Sequence, residues 1–254
     1  MIAALQMYDW PEMRDATDRW WAGLSRHLGI DVPLSRTDDC TTPWFDDALA
    51  FAQTCGYPFT HALKGKVRIV ATPHYEADGC EGPNYCSFVF AREKRPLADY
   101  RGTVAAVNSA DSMSGMLALK LVFAPHAEQS RFFSHAIESG GHLRSLAAVR
   151  AGRADVCAID SVCVALARRY RPQDLEGLIE IARSPSVPGL PLITRAGDPV
   201  RLREGLARAF ADPELVEARE ALLMSGYSVL DAGAYDRITT LEAEMERAGG
   251  VALL

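Results

Sequence analysis

The sequence has no long apolar run. No stretch approaches the roughly 18–20 apolar residues that cross a bilayer, so no membrane insertion is expected. Met1 to Trp10 carries neither a basic n-region nor a long apolar h-region, so this segment is not expected to be a signal peptide. A chain complete in this form is expected in the cytoplasm, and one whose leader has been removed in the periplasm. Excess positive charge is missing, with 27 Lys and Arg against 33 Asp and Glu and a net charge of −6. The only basic cluster is Arg168, Arg169 and Arg171, and cations at a helix end complement its dipole. No nucleic-acid partner is therefore expected. Cysteine is sparse, six in 254 residues, with no C-x-x-C pair. That excludes a disulfide-stapled scaffold and a zinc knuckle. Cys157 and Cys163 lie in apolar surroundings, whereas Cys55 and Cys80 lie in polar, turn-rich segments and leave a bridge between them open. Paired carboxylates, a metal-ligand set and an activated nucleophile do not stand out, so no metal, no cofactor and no catalytic residue is expected.

What is present is a globular composition, 48% hydrophobic and 24% charged, enough for a packed core at this length. Short apolar runs alternate with helical patterns. Strands are expected over 2–6, 48–54, 66–72, 85–92, 103–108, 131–138, 155–160, 178–182 and 190–194. Helices are expected over 11–28, 114–123, 142–150, 161–170, 199–210, 213–224 and 232–248. Such alternation predicts an α/β protein with parallel sheets covered on both faces. The middle block is a self-contained βαβαβα unit. It suggests two lobes: 1–95 plus 191–254 as a discontinuous lobe one, and 96–190 as lobe two. The breaker-rich run from Ser184 to Pro191 suits a crossing. Each lobe's sheet can be covered by its own helices, so a monomer is expected.

Five expected strand ends carry polar or aromatic groups. Asn108 to Met116 follows a buried strand and opens a helix, where unpaired N–H groups and the dipole favour an anion. Ser112 and Ser114 there are either hydroxyl donors to a ligand or ordinary caps. Ser139-Gly140-Gly141-His142 brings backbone close to a ligand and adds an imidazole, or is a tight turn with a capping histidine. Asp160 ends a strand and either receives a ligand amine or hydroxyl or caps the next helix. Asp155 is expected to satisfy the turn before it. Tyr8 and Tyr57 each follow a strand in lobe one, at the edge where open α/β sheets bind ligands. One cleft explains all five together, whereas structural roles must be invoked five times.

The run from Ser139 to Asp160 resembles the S-G-x-H-x-x-S-L-x-A-V-x-x-G-x-A-D-x-x-A-I-D stretch of PhnD-like phosphate/phosphite/phosphonate substrate-binding proteins. Asp111-Ser112-Met113-Ser114-Gly115 is similar to their S-x-S-G anion turn, with Met113 where a hydroxylated residue is more usual. The resemblance is clear over about 100–195 and looser over 1–95. It implies a two-lobed type II periplasmic-binding-protein fold with a hinged cleft. It further implies a non-catalytic protein that closes on a small anionic or zwitterionic ligand, phosphonate- or phosphate-like, for an ABC-transporter permease. Ser112, Met113 through its backbone, Ser114 and His142 would hold the anion, Asp160 an aminoalkyl group, and Tyr8 and Tyr57 would line the cleft. The alternative is a cytoplasmic enzyme of the chorismate-dehydratase class, or a ligand sensor, on the same fold.

Overall fold

The computed structural model describes residues 1–253. In chain order it contains β1 (Ile2–Ala4), α1 (Arg14–Leu28), β2 (Leu49–Gln53), α2 (Gly56–Thr60), β3 (Arg68–Tyr75), β4 (Cys80–Glu81), β5 (Asn84–Tyr85) and β6 (Ser87–Ala91). There follow β7 (Val104–Val107), α3 (Ala118–Phe123), β8 (His135–Glu138), α4 (His142–Arg150), β9 (Val156–Asp160), α5 (Ser161–Tyr170) and β10 (Ile179–Arg183). The rest is β11 (Val187–Pro188), β12 (Leu192–Thr194), α6 (Pro199–Ala211), α7 (Val216–Ala221), β13 (Met224–Ser228) and α8 (Asp236–Arg247). The chain divides into two compact units. The first takes 1–76, 81–83 and 188–234; the second takes 77–80, 84–187 and the chain from Tyr235 onward. Residues 77–80, 84–95 and the tail from 235, expected in lobe one, thus belong to the second unit, and 188–190, expected in lobe two, to the first; Leu254 lies outside the described residues.

In the first unit the strand order is β1-β2-β12-β3-β13. β1 runs parallel to β2, with Ala3 opposite Phe51. β12 lies antiparallel between β2 and β3, and β13 antiparallel outside β3. The sheet is therefore mixed, not parallel as expected. α1 carries Asp15 in its first turn and Arg26 and His27 in its last, charges its dipole favours there. Its buried stripe of Trp20, Trp21 and Leu24 meets Phe51, Val70 and Leu206 in one core. His27 Nε2 lies 2.8 Å from an Asp212 carboxylate oxygen, tying the ends of α1 and α6. The helix expected over 213–224 is confined to α7 and a preceding 3₁₀ turn, because Met224 to Ser228 pair along β3 instead.

The second unit orders its strands β10-β6-β9-β7-β8. β7 is parallel to both β8 and β9, while β6 is antiparallel to β9 and to β10. The antiparallel pairing of Ser87–Ala91 with β9 is what draws 84–95 into this unit. The tail follows because α8 packs on α3, with Lys120 Nζ 3.3 Å from a Glu246 oxygen. The strand expected from 131 starts only at His135, since Phe132 and Phe133 turn inward onto Phe123. Asp155 does not serve the turn before it. Its carboxylate accepts the Val104 N–H at 2.9 Å and an Arg92 N–H at 3.3 Å. Among the described residues no helix is long and apolar enough to cross a membrane, and the six cysteines form no disulfide.

Candidate functional site

β7, β8 and β9 share one direction, so the turns after them gather at one edge of the second unit's sheet. That edge holds Asn108, the 112–114 turn, Gly140 to His142 and Asp160. The segment after β7 opens as one wide π turn over Met113–Leu117 and continues into α3. Its first bond runs from the Leu117 N–H to the Ser112 carbonyl at 2.9 Å. The first N–H groups of a helical run have no partner within it, and wide π turns recur at functional sites. Ser112 precedes the run in extended conformation, and its hydroxyl oxygen accepts the Gly115 N–H at 3.0 Å. Ser112, Met113 and Ser114 are all buried, at 3%, 1% and 4% exposure. Gly115 is required by close approach, because a Cβ there would lie 1.8 Å from Asn108 Oδ1.

His142 is the first residue of α4. Gly140 holds φ +80°, a left-handed turn open to glycine at no steric cost, just before it. Arg144 fastens this turn, donating through Nε to the Ser139 carbonyl at 2.7 Å and through Nη2 to the Gly140 carbonyl. Ser139 Oγ in turn lies 2.7 Å from Ser145 Oγ. The fixed ring places His142 Nε2 2.9 Å from Ser114 Oγ. Nδ1 is enclosed without a hydrogen-bond partner of normal geometry. The residue keeps partial exposure, but the ring itself is desolvated, and this pulls its pKa down to about 4, the nearby Ala158 carbonyl offsetting only part of the effect. At neutral pH the imidazole is therefore uncharged, and one ring nitrogen donates while the other accepts.

Asp160 ends β9 at 2% exposure. Its Oδ1 accepts the Val162 and Cys163 N–H groups at 2.7 and 3.2 Å, capping α5. The π turn packs directly against β9. Ser112, Met113, Ser114, His142 and Asp160 thus share one edge of one sheet, and Ser114 and His142 touch. Asn108 was not among the expected site residues. Its Oδ1 is buried without a partner beside Gly115, and its position as first residue after β7 is the signal that could have found it.

Tyr8 and Tyr57 lie in the first unit. Tyr8 is buried and meets Tyr75 edge-on, ring centroids 5.3 Å apart. Tyr57 sits in α2, a short helix absent from the sequence expectations, and stacks on His61 at 3.9 Å.

Two units, each built on a five-stranded sheet flanked by helices, have the architecture of the type II periplasmic-binding-protein class. The chain belongs to the family described as "ABC transporter, phosphonate, periplasmic substrate-binding protein", whose signature matches residues 2–235. Solved structures share the fold at low identity. The binding-protein component of an ABC phosphonate transporter from Pseudomonas aeruginosa is 19% identical, with TM-score 0.79, over 97% of this chain and 87% of that one. PhnD1 from Prochlorococcus marinus, solved with methylphosphonate, is 13% identical, with TM-score 0.76, over 97% of both chains. A Xanthomonas citri protein solved with chloride is 17% identical, with TM-score 0.72, over 98% of both. No curated protein matches the sequence.

Proposed function

We propose that this chain is a non-catalytic binding protein that captures a small phosphonate- or phosphate-like oxyanion and presents it to the permease of an ABC transporter. Family membership supports binding and transport over the enzyme and sensor alternatives, and the family's description supports a periplasmic site of action. In this reading the second unit grips the anion. The Met113, Ser114 and His142 main-chain N–H groups and the Ser112 and Ser114 hydroxyls are its donors. With its proton on Nε2, His142 donates to Ser114 Oγ and leaves the serine hydrogen for a ligand oxygen. Helix-start amides and neutral donors in a desolvated setting bind an oxyanion without lysine or arginine. Asp160, already the cap of α5, also faces a hydroxyl or amine of the ligand. Tyr8 and Tyr57 of the first unit add flat walls, and closing of the two lobes on the ligand selects the bound form.

The observation that carries the proposal is the part-buried Ser114–His142 contact at the start of the 113–123 helical run. The test is incubation of the protein with phosphate, phosphite and methylphosphonate in turn. A raised Tm with the ligand recovered unaltered is expected. Turnover of the ligand, or no stabilisation by any of the three, contradicts it.

A further inference from the structure

The second unit holds a polar cavity at the sheet edge opposite the oxyanion turn. β6 ends there at Ala91 and β9 begins there at Val156, the two residues paired across the sheet. Its free volume is about 220 Å³, whereas a single water needs only about 10–15 Å³ on that measure. Ala91, Arg92, Glu93, Arg95, Tyr100 and Asp155 line it. The length of β9, roughly 15 Å, separates it from Asp160 at the far end of the same strand.

Two charged groups of this wall are already engaged. Arg92 donates through Nη1 to the Val149 and Ala154 carbonyls and through Nη2 to Asp155 Oδ1. Asp155 Oδ2 accepts the Val104 N–H. Arg95 differs. Its guanidinium lies over the Tyr100 ring, 4.3 Å from the centroid. Tyr100 is itself fixed, being buried with its hydroxyl donating to the Glu93 carbonyl. The Arg95 Nε–H is buried without an acceptor, and the side chain has no hydrogen bond or ion pair to any described residue. Native proteins rarely leave a buried donor unmet. A guanidinium presents Nε–H and Nη–H side by side in its plane, the fork that a carboxylate meets with two oxygens.

We propose that this cavity is a second ligand site, which takes a small monocarboxylate bound two-pronged to Arg95 and acts independently of the oxyanion turn. Glu93 and Asp155 in the same wall repel a second negative charge on the ligand, which disfavours sulfate and dicarboxylates.

Titration of the full chain with acetate, propionate and sulfate, at ionic strength held constant with chloride, tests it in ¹H–¹⁵N spectra that observe arginine Nε–H groups. The Arg95 Nε–H signal is expected to move saturably with acetate and propionate and to respond more weakly to sulfate. Arg95→Lys keeps the charge and loses the fork. Its acetate affinity, followed at the Glu93 and Tyr100 main-chain N–H signals, is expected to fall about tenfold, with methylphosphonate affinity unchanged. An Arg95 signal that stays still or drifts without saturating, an equal or stronger response to sulfate, or unchanged acetate affinity in Arg95→Lys overturns the inference. A fall in methylphosphonate affinity in that variant overturns it too, because the two sites are then not independent.

Discussion

The two units present the same architecture with opposite chemistry at the carboxyl ends of their strands. In the second unit the edge carries amides, hydroxyls, an imidazole and one buried carboxylate. In the first it carries tyrosines, a glutamine whose amide is already engaged and a small aromatic-lined hollow. The polar edge is held by turns: the π turn from Met113, the left-handed Gly140 and the Arg144 clasp on two carbonyls. The apolar edge is held by packing, with Tyr8 against Tyr75 and Trp20 against Phe210. An oxyanion needs donors fixed in direction. The contrast sets directed donors in the second unit against apolar walls in the first.

The largest effect expected is from Gly115→Ala. The added methyl collides with Asn108 Oδ1, so the Asn108 side chain, the turn or both must shift. Overpacking of this kind costs about 1–3 kcal/mol. Oxyanion binding should disappear from calorimetry while the first unit's core is untouched.

The second effect is a pH dependence. Folded His142 takes up its proton near pH 4, and an unfolded histidine near about 6.5. Between these values the unfolded chain binds more protons, so stability falls as pH drops through that window, by up to about 3 kcal/mol. His74, in the first unit, is also pushed down by burial. Urea melts from pH 7 to 4 should therefore lose more of their slope in His142→Gln than in His74→Gln. Equal slopes would erase the distinction.

Ser114→Ala and Tyr57→Phe sharpen the comparison directly. Removing a hydrogen bond to a charged group costs about 1.5–3 kcal/mol, so Ser114→Ala should weaken methylphosphonate binding by at least tenfold with cooperative unfolding retained. Tyr57→Phe keeps the ring and should cost less. The reverse order would move the anion's grip to the first unit.

The smallest effect is on α5. Asp160→Ala removes the cap from Val162 and Cys163 and should lower the stability of the chain by about 0.5–2 kcal/mol, read from denaturant midpoints without ligand.

Much of the second unit was legible because its strands are short apolar runs broken by small polar residues. The 112–114 turn, His142 and Asp160 could be located as strand ends from local pattern alone. Whether Ser112 and Asp160 cap helices or bind ligand was not legible, and both act as caps in the structure. β13 was not legible because Met224-Ser225-Gly226-Tyr227-Ser228 has no β-branched residue and a glycine at its centre; only pairing with β3 makes it a strand. The placement of β6 and α8 in the second unit rests on contacts with β9 and α3, far away in sequence. No periodicity encodes such partners. Asn108 opened the 108–116 segment but was given no role of its own, because a single asparagine after a strand reads as a turn residue.

The central claim is that main-chain amides of the 112–114 turn hold the oxyanion. Amide ¹H–¹⁵N spectra of the protein titrated with methylphosphonate test it most directly. The account predicts the largest shifts at the Met113, Ser114 and His142 N–H groups, saturating together at one ligand per chain. Saturable binding that leaves those three signals unmoved would contradict it.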